Sequence, residues 1–138
     1  MSWNKFVRRM SSLFTLLLLC LLAQSCSLGM PAEQKKSIEA MELLGKTLGQ
    51  MPFKGPTQFL TCPLEGGWAI AFYPDADSGN KEIDKYYAFW IRDKSVYTVN
   101  REAMSFYPSL PQSPPEIGIN RVVAALTEEN GVILRPEP

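Results

Sequence analysis

Apolar positions fall first in one unbroken run, then at helical spacing, then at the tighter spacing of strands. The run is Leu13-Phe14-Thr15-Leu16-Leu17-Leu18-Leu19-Cys20-Leu21-Leu22-Ala23, 11 residues long. Beyond it, Ile38, Met41, Leu44, Leu48 and Met51 recur every three or four residues. With Pro31 in a first-turn position and Pro52 as a stop, this predicts an amphipathic helix over about 31–50, weakened by Gly45 and Gly49. Residues 52–67 hold three prolines and three glycines and read as a connector, with a short strand at 58–61 as its one ordered piece. Trp68-Ala69-Ile70-Ala71-Phe72-Tyr73 reads as a strand apolar on both faces. Turn chemistry follows at 74–80, then strands at 85–92 and 96–100 joined by Asp93-Lys94-Ser95.

If Asp93-Lys94 is a two-residue loop, Ile91 faces Val96 and Trp90 faces Tyr97. One face of the hairpin then carries Tyr87, Phe89, Ile91, Val96 and Thr98, and the other Tyr86, Ala88, Trp90, Tyr97 and Val99. Residues 107–115 are proline-rich. Ser113-Pro114-Pro115-Glu116 then has capping-box spacing, and Ile119, Val122, Val123 and Leu126 form a helical stripe ending at Asn130-Gly131. Val132-Ile133-Leu134 reads as a short last strand before a tail at 136–138. The order predicts an α+β fold: a small antiparallel sheet of three to four strands, with an N-terminal and a C-terminal helix packed on one face.

The 11-residue run is too short to span a hydrocarbon core, which needs about 20 residues of helix. It follows Lys5, Arg8 and Arg9 and precedes small residues, the layout of a secretory signal peptide. Arg8-Arg9 resembles the start of a twin-arginine signal, but Ser11 stands where that motif has phenylalanine. Leu22-Ala23-Gln24-Ser25-Cys26 resembles the lipobox of bacterial lipoproteins, although the leucine lies one residue further from the cysteine than usual. The resemblance covers residues 1–26 and implies cleavage before Cys26 and acylation of that residue. Taken with the length and the element order, it divides the chain in three: signal peptide 1–25, lipidated tether 26–30, and a single α+β domain at 31–138. Ser27, rather than aspartate, after the cysteine implies the outer membrane in a Gram-negative host. Ala23-x-Ser25 also suits ordinary signal peptidase, and then Cys26 is open to a disulfide with Cys62 in a secreted, non-lipidated domain.

Charge sharpens this. The chain has 14 basic and 14 acidic side chains, but removing residues 1–25 leaves 11 against 14, a net charge of −3. An acidic domain gains nothing from a phosphate backbone, so nucleic acid is not an expected partner. The absence of histidine excludes Ser-His and Cys-His nucleophiles and histidine-ligated zinc.

The remaining motifs are weak. Residues 40–47 match a relaxed phosphate-loop pattern but lie inside the predicted helix. Asp75-x-Asp77-Ser78-Gly79-Asn80 resembles the start of a calcium loop, but an EF-hand would need glycine where Asn80 stands and glutamate where Tyr86 stands. That leaves Asp75, Asp77, Glu82 and Asp84 only as ligands in another geometry, and a solvated hairpin turn is the better reading. Ser78-Gly79-Asn80-Lys81 spells S-x-x-K, the serine nucleophile motif of penicillin-binding proteins, without that family's other motifs. Pro108-Ser109-Leu110-Pro111 spells PxxP in what reads as a loop. No cofactor or metal is expected. A carboxylate hydrolase using Glu65 or the loop acids stays open as an alternative. The surplus of aromatics points elsewhere: Tyr86, Trp90 and Tyr97 share one predicted face, and large rings suit docking. The expected molecule is a lipid-anchored envelope protein that binds an envelope protein or a cell-wall component and performs no catalysis.

Overall fold

The computed structural model describes residues 31–136. The signal peptide, Cys26, the tether and the end of the tail lie outside the described residues. Contacts part the chain after Lys35, and the sheet and all helices but the first turn of the first one belong to the second unit, Lys36–Pro138.

Helix α1 spans Ala32–Leu48 and buries Ala40 and Leu44. It stops at Gly49, whose φ of +70° and bond to the Gly45 carbonyl close the last turn. Met51, expected on the helical stripe, lies beyond that stop and is 40% exposed. Strands β1 (Thr57–Leu64), β2 (Gly67–Pro74), β4 (Tyr87–Arg92) and β5 (Ser95–Thr98) form an antiparallel sheet in the order β1-β2-β4-β5. The connector thus holds a strand of eight residues where four were expected. Glu65 and Gly66 both take positive φ, which fits the tight two-residue turn joining β1 to β2. At Gly67 an added Cβ would collide with the Ile91 carbonyl oxygen, so glycine lets β2 enter the sheet against β4.

Between β2 and β4 the chain makes an excursion. A 3₁₀ turn at Asp75–Asp77 leads to β3 (Glu82–Ile83), which pairs in parallel with β6 (Ile133–Leu134) near the C-terminus. A short helix, α2 (Arg101–Phe106), follows β5, and α3 spans Ile119–Asn130. Ser113 does not cap α3: its hydroxyl donates to the Ile117 carbonyl (2.8 Å) across a 3₁₀ turn at Pro115–Ile117, and Gly118 opens the helix without a side-chain cap. Gly131, at φ +68°, closes α3 as expected.

The α+β class and its small antiparallel sheet are as expected, and so is the β4–β5 register: Ile91 pairs with Val96 and Trp90 with Tyr97. The helices, however, flank the sheet on opposite faces. Ala40 and Leu44 of α1 pack with Ile70, Phe72, Tyr87, Phe89, Ile91 and Val96, while Val122, Val123 and Leu126 of α3 pack with Leu60, Ala69, Ala71, Ala88 and Trp90. The cause is in the sequence. Strands β2 and β4 are apolar at consecutive positions, so neither face can be left wet.

Candidate functional site

The face that carries Tyr86, Trp90 and Tyr97 is the face beneath α3. Tyr86 is 2% exposed and Trp90 3%, and Tyr97 is half-buried against Trp90 with ring centroids 5.6 Å apart. Both polar tips are used internally. The Tyr86 hydroxyl donates to the Arg135 carbonyl (3.0 Å) and the Trp90 indole donates to the Leu64 carbonyl (3.0 Å). The expected docking surface is therefore core, and the excess aromatics on it are hidden by a helix whose position along the chain was as expected but whose face was not.

Solvent reaches aromatic rings on the opposite face, from the β1 edge across to β4. Phe72 and Tyr87, both buried, stack with centroids 5.3 Å apart and form a floor. Phe59 lies 5.8 Å from Phe72, Phe53 lies 6.1 Å from Phe72 and 6.3 Å from Tyr87, and Phe106 meets Tyr87 edge-on at 6.3 Å. Phe59 and Phe106 are 42% and 43% exposed. Three rings thus stand on two. Phe53 and Phe59 are inconspicuous in the sequence because they lie in the proline- and glycine-rich stretch that reads as a connector. The alternation of Phe59 with Leu60 and Cys62 across two faces is the signal that could have found them.

The two edges of the sheet differ. On β5, residues 111–113 run alongside: Thr98 donates its amide to the Pro111 carbonyl (2.9 Å) and Ser113 donates to the Thr98 carbonyl (2.9 Å). The PxxP segment ends in this contact. On β1, the Asn130 side chain donates to the Thr61 carbonyl (3.2 Å). Thr61 therefore turns its backbone groups away from β2, and by strand alternation Thr57 and Phe59 do the same. The open edge and the exposed rings meet at Phe59.

No protein-family profile, curated protein sequence or solved structure matches the chain. Among the described residues, no helix is long and apolar enough to cross a membrane, and no three carboxylate or thiol side chains gather as a metal site would require.

The other candidates disperse. Residues 40–47 lie within α1. Glu65 pairs with Arg121 across exposed surface, and Asp75 accepts from the Gln58 amide. Glu82 and Asp84 both meet Arg135, at 2.6 and 3.1 Å. Ser78 stands exposed on the turn after the 3₁₀ helix rather than at the head of a buried one. Cys62 is a buried thiol, and burial first, then the Glu129 and Glu128 carboxylates, push its pKa up. A thiol so placed is a poor nucleophile.

One buried polar group does much of the positioning. Asn100 is 2% exposed. Its Oδ1 accepts from the Ala88 amide (3.0 Å) and from the Ala103 amide (3.1 Å), and its Nδ2 donates to the Tyr86 carbonyl (2.7 Å). It ties β4 to the end of β5 and caps α2, the helix that delivers Phe106 to Tyr87. Tyr107, at the end of α2, donates its hydroxyl to the Gln50 carbonyl (2.6 Å) and so fastens the segment that carries Met51 and Phe53. Burial, aided by Tyr87, pushes its pKa up to about 12.

Proposed function

We propose that this chain is a lipid-anchored protein of the bacterial envelope, held by Cys26, that binds a protein partner by accepting an extended segment along the open edge of β1. The observation that carries the binding half is the meeting, at Phe59, of edge backbone left unpaired among the described residues with exposed aromatic rings. Edge addition draws affinity from main-chain hydrogen bonds and selectivity from side chains at alternate positions, and Phe59, joined through Phe72 and Tyr87 to Phe53 and Phe106, provides an apolar seat for them. Aromatic anchors of this kind lose little rotamer freedom on binding. The anchoring half rests on the signal-like segment and on the cysteine at its end. Two or three acyl chains, at about 0.8 kcal/mol per buried methylene, hold a protein to a bilayer for its lifetime.

A photo-crosslinking residue at position 59, with a second at position 90 as control, tests the binding half in intact cells. The same envelope polypeptide should crosslink from position 59 and not from position 90. Crosslinking from neither position, or equally from both, would reject the β1 edge. For the anchor, intact mass of the membrane-extracted protein should exceed that of residues 26–138 by acyl groups and lose them in Cys26→Ala. Equal masses would reject lipidation.

A further inference from the structure

The two hairpin turns lie at the same end of the sheet, because the start of β2 pairs with the end of β4 at Trp68 and Ile91. There they face the flank of α1 across an open cleft of about 550 Å³. Trp68 and Ile91 are among its lining, Lys36, Glu39, Ala40 and Leu43 come from α1, Gly66 and Gly67 from the first turn, and Asp93 and Lys94 from the second. Trp68 is half-buried, packed on the α1-side core yet reaching the cleft. Glycines at 66 and 67 leave that wall as bare backbone.

Three properties restrict what fits. First, the charges balance: two ammonium groups, Lys36 and Lys94, and two carboxylates, Glu39 and Asp93. Among the described residues none of the four closes a salt bridge within the molecule, so all are uncommitted donors and acceptors. A phosphate-bearing ligand would meet two carboxylates, and a hydrocarbon ligand would strip water from four charges, which is costly unless each is paired. Second, an indole is part of the apolar lining with Ala40, Leu43 and Ile91, and together they suit a ligand with an apolar ring face and methyl groups. Third, the cleft is open and falls within the roughly 300–1,000 Å³ of small-ligand sites, which suits one stretch of a longer polymer.

A net-neutral ligand with an apolar face, a rim of groups that both donate and accept, and attached methyls is an N-acetylated sugar. We propose that the cleft over Trp68 binds a glycan strand containing N-acetylhexosamine units. The pyranose C–H face stacks on the Trp68 indole, hydroxyls donate to Glu39 and Asp93, and the acetamide carbonyl accepts from a lysine while its methyl meets Leu43 and Ala40. This site is separate from the β1 edge, and its test is independent of it.

The probes are tri-N-acetylchitotriose, with maltotriose as the sugar lacking acetamido groups, added to the full chain in detergent and followed by tryptophan fluorescence and calorimetry. Wild type should give a saturable response to chitotriose, at least tenfold stronger than to maltotriose. Trp68→Ala should weaken binding at least tenfold, and Phe59→Ser should leave it unchanged. If Trp68→Ala fails to fold, Asp93→Asn and Glu39→Gln replace it. Both sites are exposed, and asparagine accepts the φ of +50° found at 93, so these variants should fold and bind several-fold more weakly. No saturable response at millimolar chitotriose overturns the proposal. So does equal binding of maltotriose, or unchanged affinity in the Asp93→Asn, Glu39→Gln double variant.

Discussion

The two faces of the sheet use apolar side chains in different ways. Under α3 the sheet sets alanines at 69, 71 and 88 among the rings of Tyr73, Tyr86, Trp90 and Tyr97, and the helix closes over them with Val122, Val123 and Leu126. On the other face large rings stack on one another, with Phe72 touching Phe59, Phe53, Tyr87 and Phe89, and the outermost stay wet. Small residues let a helix approach the sheet and finish a core. Large rings between two separate helices leave a remainder that neither helix covers. The first face teaches where stability resides, and the second where the proposed binding would take place.

Breaking the α3 face should cost most. Trp90→Ala removes a buried ring and leaves the Leu64 carbonyl without its donor, so a loss of about 3–5 kcal/mol is expected in urea unfolding. That is a large part of the roughly 5–15 kcal/mol a domain has to lose. A loss under about 1 kcal/mol would mean that α3 does not pack as described.

Next comes the hinge between the faces. Asn100→Ala strands the Ala88 and Ala103 amides and the Tyr86 carbonyl, for an expected loss of about 2–4 kcal/mol. Asn100→Asp keeps the acceptor but sets a carboxylate against the Tyr86 carbonyl, and should be no better. Rescue by aspartate would show that the bonds Asn100 accepts matter and the one it donates to Tyr86 does not.

Tyr107→Phe should cost about 1 kcal/mol at neutral pH through the lost bond to Gln50. The pH dependence sharpens it. Its pKa in the folded chain is raised to about 12, against about 10 when unfolded, so its contribution is complete below about 10 and lost as pH rises toward 12. Tyr73 is shifted the same way by burial and by Asp75. Wild type should therefore lose stability between pH 10 and 12 more steeply than Tyr107→Phe. Parallel pH–stability curves would contradict the assignment.

The smallest effect on folding is expected where the effect on binding is largest. Phe59→Ser and Phe106→Ser trim half-wet rings, and each should change stability by no more than about 1 kcal/mol.

Much of this fold was legible in the sequence, and the failures have particular causes. The β4–β5 register followed from a two-residue loop and period-two alternation, both local. The end of α3 followed from Gly131, whereas α1 stops at Gly49, ahead of the Pro52 stop that was expected. What failed was non-local. Nothing in the stripe Ile119, Val122, Val123, Leu126 says which sheet face it covers, so Tyr86 and Trp90 looked available when they were core. Helix α2 is six residues long, too short to show a period, and depends on an asparagine cap whose other partners lie 12 and 14 residues back. Strand β1 was masked by Pro56 and Pro63, tolerable because β1 is an edge. Phe59, the centre of the candidate site, was lost with it.

The most direct test compares partner recovery from detergent-solubilised envelopes for wild type, Tyr97→Ala and the Phe59→Ser, Phe106→Ser double variant, each at the same amount of folded protein. Wild type and Tyr97→Ala should retain one stoichiometric polypeptide that the double variant loses. Retention by the double variant, or loss in Tyr97→Ala alone, would contradict the account.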